Sequence, residues 1–163
     1  MAKRGLVYGV GSEDMDTLTF GAPVLLRHLT FSEARKMPIV EIHLSKVLEG
    51  MQLTRDEFID LCILLGCDYC GTVRGVGPAK AVQLIKEHRS IEAAIKSGAI
   101  AQDKMDADWP FASARHLFHN PLVLAEDDPQ LQAMRWGPPA DPEALITFLC
   151  VQHGFNEKRI RAS

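Results

Sequence analysis

LLGCDYCGTVRGVGPAKAVQLIKEH, residues Leu64 to His88, is the stretch on which the fold turns. An apolar helix runs into Gly66, a short turn CDYC follows, and then two glycines, Gly75 and Gly77, flank Val76. Pro78 suits the first position of a new helix, where its missing N–H costs nothing. Glycines let backbone amides approach a partner closely, and a helix N-terminus just beyond them favours anions. Between Thr72 and Lys96, Arg74, Lys80, Lys86, Arg89 and Lys96 stand against Glu87 and Glu92. Helix, glycine hairpin, then helix with lysine in its first turn is the pattern of a helix–hairpin–helix that holds nucleic-acid phosphates without reading bases. A plain packing unit of two helices would want the same glycines and stays open as the alternative.

Upstream, Thr54-Arg55-Asp56-Glu57 forms a capping box ahead of Phe58, Leu61, Cys62, Leu64 and Leu65, which share one helical face. Before it the pattern is strand-like. Leu6 to Val10 and Pro23 to Leu29 read as short buried strands, with Thr17 to Phe20 as a turn or short helix between them. Ile39 to Leu44 alternates apolar and polar residues and reads as a third strand that runs into a helix at Ser45 to Leu48.

The first two strands bracket GSEDMDTLTFG, Gly11 to Gly21, where Glu13, Asp14 and Asp16 crowd together. Like charges so placed repel, and a multivalent cation relieves them. In open α/β sheets ligands bind beyond the carboxyl ends of strands, which is where Asp14 and Asp16 fall. Asp68 follows the C-terminal end of an apolar helix, where a carboxylate is disfavoured by a few tenths to ~1 kcal/mol. Either these aspartates share a cation, or they are solvated turn residues. Two-metal phosphoryl-transfer sites are built from such carboxylates.

Downstream, Ser90 can cap a helix ending near Gly98, Trp109 to His119 reads as helical, and Asn120-Pro121 stops it. Asn120 to Pro142 is rich in proline and acid. Pro142 to His153 reads as a helix closed by Gly154, with a last turn from Asn156 to Arg161. Trp109, Phe111, Phe118 and Trp136 have apolar neighbours and read as core rather than base-stacking residues; His116 and His119 lack a metal-binding context.

The chain has 163 residues, 47% hydrophobic and 24% charged, with net charge −3, as expected of one globular domain or a compact unit with two lobes. No global basic field points to nucleic acid, so any such partner needs a local patch. No apolar run is long enough to span a bilayer, and the N-terminus lacks a signal-peptide pattern. The four cysteines, Cys62, Cys67, Cys70 and Cys150, make no disulfide framework. Cys67 and Cys70 form a C-x-x-C, but a structural zinc site wants a second close ligand pair, so reduced thiols are the better reading and a redox or zinc protein the weaker one.

With SEDMDTLTFG, LCILLGCDY and RGVGPAKAVQLI in this order, and PVLLRHLTFSEA and FNEKRIR besides, the sequence resembles the flap endonucleases, structure-specific 5′ nucleases. The similarity runs from about Leu6 to Arg161. It implies an α/β fold: the C-terminal part of a PIN-like (Rossmann-like) nuclease core with a mainly parallel sheet, followed by a helical lobe. Residues 1–52 would be the partial core and 53–163 the helical exonuclease region, with the helix–hairpin–helix at about 54–88.

By the same resemblance Asp14, Asp16 and Asp68 are catalytic metal ligands for magnesium, two ions per complete enzyme and at most one held well here. Gly75, Gly77, Lys80 and Arg89 would bind duplex DNA, and a potassium ion would sit on the main-chain carbonyls of Thr72, Val73 and Val76. Glu13 is not expected to be a ligand. The family's N-terminal half, with further carboxylates and a helical arch, has no counterpart here, nor does the sliding-clamp peptide beyond the last helix. The expectation is therefore a portion of an enzyme that cuts 5′ flaps in DNA replication and repair, inactive by itself, with a non-catalytic duplex-binding module as the alternative. It carries with it a nuclear site, with the mitochondrion as a second one, for a eukaryotic source and a cytoplasmic one otherwise. An open sheet edge would favour self-association.

Overall fold

A computed structural model describes residues 1–29, 31, 37–106, 108–125, 127–134, 137 and 141–162. The expectation for Trp136 lies outside these. Two compact units are present, Met1–Leu122 and Val123–Ser163. The sheet and the helices that the sequence divides near residue 52 both lie in the first unit.

Its sheet has three strands, β1 (Val10–Gly11), β2 (Val24–Arg27) and β3 (Val40–His43), in that order. β1 pairs with β2 in parallel, Val10 opposite Leu25, and β2 pairs with β3 antiparallel, Val24 opposite His43. The sheet is thus mixed, not mainly parallel. β3 returns beside β2 in the opposite direction after residues 28–39 and runs straight into α2 (Leu44–Met51).

The strand expected over Leu6 to Val10 is shorter and later. Carried back from Val10, the parallel register would set Tyr8 opposite Pro23, which has no N–H to give a ladder. Leu6 and Tyr8 are exposed instead.

α1 (Asp16–Thr19) follows β1, and α3 (Arg55–Leu65) is the central helix. The Thr54 side chain accepts from the Glu57 N–H, and the Glu57 carboxylate accepts from the Thr54 N–H, so the capping box is made. Burial extends well round α3. Phe58 packs with Leu18, Leu25 and Leu44 beneath the sheet, while Ile59, Leu61, Ile63 and Leu64 enter the larger helical core with Leu84, Ile85, Ile91 and Phe118. Leu65, expected on the apolar face, is exposed at the helix end. α4 (Pro78–His88), α5 (Ile91–Lys96) and α6 (Phe111–His119) complete this core. The Ser90 hydroxyl caps α5 by accepting from Ala93 N–H. Asp60, buried among these helices, accepts from Ile91 N–H at 3.0 Å and pairs with Arg115 at 2.7 Å.

The second unit holds α7 (Pro129–Ala133), α8 (Pro142–Ile146), a π-helical stretch Thr147–Gln152 and α9 (Glu157–Ile160). The single helix expected over 142–153 is therefore α-helical only in its first part. Arg161 pairs with Glu143 and Glu157, each at 2.9 Å, and ties the end of α9 to α8. Among the described residues no helix is long and apolar enough to cross a membrane.

Candidate functional site

The acidic loop is held by its own side chains. Ser12 N–H donates to Leu26 O at 3.1 Å, extending the parallel pairing one residue past β1. Asp14 N–H donates to Ser12 Oγ at 3.0 Å, and Asp16 N–H donates to Asp14 Oδ1 at 2.9 Å. These local bonds turn the chain sharply and lead it into α1. Glu13 faces the other way: its Oε1 accepts from His28 N–H at 2.6 Å and its Oε2 from Arg27 at 3.3 Å. It therefore fastens the loop to the end of β2.

Asp68 reaches this loop through its neighbour. Cys67 and Cys70 form an isolated antiparallel bridge, with Asp68 and Tyr69 at the tip of the turn. The Tyr69 ring meets Phe20 edge-on at 6.0 Å and Phe118 at 5.3 Å, and Phe20 directly follows α1. Arg55 secures the same corner by donating to Phe20 O at 3.4 Å and Phe118 O at 3.2 Å. Gly21, with φ 89°, lies under that guanidinium; a Cβ there would come within 3.0 Å of it.

The three aspartates share one electrostatic neighbourhood. The Asp16 carboxyl is held above its ordinary value by burial first, then by repulsion from Asp14 and Asp68. The Tyr69 hydroxyl is raised as well, by burial and then by Asp16, Asp68 and Asp14. Burial also pushes the thiols of Cys62 and Cys70 up, to about 11 and about 12. The donor set, carboxylate oxygens on exposed or half-buried residues, suits a hard divalent cation. Among the described residues, however, no three His, Cys, Asp or Glu side chains converge closely enough to hold a metal ion. The aspartates form a field, not a finished cage.

The hairpin between α3 and α4 is open to solvent on its glycine side. Val73 is buried in the helical core, and its carbonyl accepts from Val76 N–H at 3.1 Å. Arg74 N–H donates to Lys104 O at 3.0 Å, and Trp109 Nε1–H to Gly71 O at 2.6 Å, which anchor both shoulders. Gly75 takes φ 75°, a conformation a side chain would strain, and a Cβ on Gly75 or Gly77 would meet nothing within 4 Å. Gly77 is the N-cap of α4, with Pro78 at the first helical position. Lys80 is exposed and has no carboxylate partner among the described residues. Arg89 lies elsewhere, at the C-terminal end of α4, paired with Glu57 at 2.7 Å. So Gly75, Gly77 and Lys80 lie together at the hairpin, and Arg89 stands at the far end of α4 beside Glu57.

Sequence reasoning passed over Ser12 and Tyr69. Ser12 was visible as a turn former two residues ahead of Asp14. Tyr69 sat in the quoted motif, but its role depends on Phe118, distant in sequence.

This fold recurs in solved structures of nucleases. Residues 1–68 match the XPG I-region family model. In three dimensions the chain superposes on the catalytic core of Rad2 in complex with DNA substrate with TM-score 0.75 at 22% identity, over 97% of this chain and 56% of that one. At that identity the likeness is one of fold.

Its sequence is similar to those of flap endonucleases. It is 53% identical over 163 residues to flap endonuclease 1 of Caenorhabditis briggsae, covering all of this chain and 42% of the relative. It is 52% identical over 162 residues to that of Aedes aegypti, again 42% of the relative. Flap endonuclease-1 from Methanococcus jannaschii has 30% identity and TM-score 0.73, over 99% of this chain and 46% of that one. The chain thus spans less than half the length of these relatives.

Proposed function

We propose that this chain is part of a flap endonuclease that cuts 5′ flaps in DNA replication and repair, and that it supplies three of the metal-binding carboxylates and a hold on duplex DNA. The observation that carries the reading is that the half-buried Asp16 carboxyl and the Tyr69 hydroxyl both feel Asp14 and Asp68, which come from two distant stretches of the chain.

Magnesium bound there would neutralise these carboxylates and supply Lewis-acid chemistry at a phosphodiester. The chain's own residues do the rest of the work proposed for this site. Ser12 and Asp14 shape the acidic loop, Glu13 fastens it to β2, and Tyr69 seats the Asp68 turn against Phe20 and Phe118. α3, the hairpin and α4 act as a helix–hairpin–helix: Gly75 and Gly77 let the backbone approach phosphates, and Lys80 supplies the charge. Potassium, if held, would use the main-chain carbonyls of Thr72, Val73 and Val76. A nuclear location, with the mitochondrion second, follows for a eukaryotic source, and the cytoplasm otherwise. The exposed sheet edges favour self-association.

A second reading, a duplex-binding module without catalysis of its own, is favoured by one observation: no three ligands converge among the described residues. The two readings separate on magnesium. The purified chain should bind duplex DNA with no sequence preference and with affinity that falls steeply as salt rises, because displaced counterions drive it. Lys80→Ala should weaken all duplexes alike. Calorimetry with magnesium should show weak binding, lost in Asp14→Ala and Asp68→Ala. Binding of DNA with no magnesium response supports the module; no DNA binding at any salt overturns both readings. Cleavage of 5′ flaps by the chain alone would overturn the expectation that it is inactive by itself.

A further inference from the structure

The sulfur atoms of Cys67 and Cys70 stand 3.7 Å apart across the turn that carries Asp68 and Tyr69. The two residues face each other as an antiparallel bridge pair. Such pairs hold their Cα atoms about 4.5–5.5 Å apart, inside the ~4.4–6.8 Å span that a disulfide tolerates. Closing the sulfur gap to the ~2.05 Å of an S–S bond needs side-chain rotation rather than movement of the backbone. Both side chains are partly exposed, and the tip between them is exposed. Cys62 lies within α3, close enough to Cys67 to feel its charge, and Cys150 lies in the π-helical stretch of the second unit.

We propose that Cys67 and Cys70 are a thiol-oxidation site that closes to a reversible intramolecular disulfide when the chain meets a small disulfide such as oxidised glutathione. One cysteine, as its thiolate, attacks a sulfur of the oxidant and releases one glutathione thiolate, leaving a mixed disulfide. The second cysteine loses its proton and attacks the protein sulfur of that mixed disulfide, releasing the other glutathione. Two protein thiols are oxidised, one disulfide oxidant is reduced to two thiols, and the two protons leave with them. The new bond closes a small ring around Asp68 and Tyr69 and fixes the backbone on which Asp68 stands. That consequence for Asp68 rests on the metal reading above; the formation of the bond does not.

The test uses the folded chain, incubated for hours with excess oxidised glutathione and then quenched, unfolded and titrated with a maleimide. The expected result is loss of two of the four titratable thiols, an intact mass lower by two hydrogens, and fragmentation of the tryptic Asp56–Arg74 peptide that places the link between Cys67 and Cys70. Dithiothreitol should return all the thiols. Cys70→Ser should stop at a stable glutathione adduct, whereas Cys62→Ser and Cys150→Ser should form the link as the parent does. All thiols remaining free, a link to Cys62 or Cys150, or persistent glutathione adducts on the parent chain would each overturn the proposal. Magnesium titration of the oxidised and reduced forms then tests the consequence for Asp68 separately.

Discussion

Arg89 and Glu57 join the end of one helix to the start of another. Arg89 Nε lies 2.7 Å from Glu57 Oε1, and Glu57 Oε2 accepts from Thr54 N–H at 2.8 Å. Glu57 therefore serves two helices at once. It closes the capping box of α3, where a carboxylate in the first turn also answers the helix dipole, and it receives the guanidinium that follows α4. Arg89 itself takes φ 67°, the left-handed turn that ends α4. The hairpin between these helices is thus clamped on the side away from Gly75.

Arg89→Ala should cost stability and leave DNA binding nearly intact. Removing a half-exposed ion pair is worth up to about 1 kcal/mol, read from urea unfolding. Arg89→Gly loses the same pair but suits the positive φ, and should be the more stable of the two variants by roughly 0.5–1 kcal/mol. If Arg89→Ala instead weakens duplex binding as much as Lys80→Ala, the arginine acts on DNA after all.

A larger penalty is expected at Arg115. Its Nε and Nη2 donate to Asp60 at 2.7 and 2.9 Å, and the Asp60 side chain is only 4% exposed. Arg115→Ala leaves that carboxylate buried with the Ile91 N–H as its remaining described donor, which should cost about 3–5 kcal/mol. Because Asp60 also caps α5, the loss should appear as early amide exchange through Ile91–Lys96. A variant as stable as the parent would show that Asp60 is not held by Arg115.

Glu92 carries a pH dependence of known sign. Arg115 donates two hydrogen bonds to it, at 2.6 and 2.9 Å, and holds its carboxyl below the ordinary value of 4.5, against a smaller opposing effect of burial. A carboxyl whose folded value lies below its unfolded one stabilises the fold fully above the unfolded value, and loses that contribution as pH falls through the folded one. The stability difference between the parent and Glu92→Gln should therefore be largest above pH 4.5 and shrink in more acid solution. A difference that grows on acidification would refute the assignment.

What was legible in the sequence is what is encoded locally. Thr54 and Glu57 announced α3, Pro78 announced α4, and Ser90 announced α5, because a cap is decided within four residues of itself. Asp14, Asp16 and Asp68 were legible as candidates for one cation from their unfavourable placement, and as a site through motif resemblance; the contact that seats the Asp68 turn, Tyr69 on Phe118, joins residues far apart in sequence. For the same reason the pairing of Arg89 with Glu57 could not be read, the charge being visible and its partner not. Strand direction was also beyond reach, since the register of β3 on β2 leaves no mark in either strand's alternation. In the stretch 142–153, spacing that suits an α-helix did not reveal the wider π-helical turn from Thr147.

The sheet yields the last expectation. β1 pairs with β2 alone, and β3 forms the opposite edge, so each presents unpaired backbone groups among the described residues. Beside these edges Tyr8 is 66% exposed, Ile39 61% and Leu6 57%, an apolar fringe on both sides of a small sheet. Edges of this kind take up strands from other chains unless a charge, a proline or a bulge blocks them. The chain should therefore self-associate as its concentration rises, most readily at high salt, where its net charge of −3 is screened. Ile39→Lys puts a desolvation cost on the β3 edge and should lower the associated fraction without changing the unfolding midpoint measured in dilute solution. Sedimentation across a range of concentrations decides it. A parent chain that stays monomeric throughout would show the edges to be protected, and an unchanged Ile39→Lys would point to β1 as the edge that pairs.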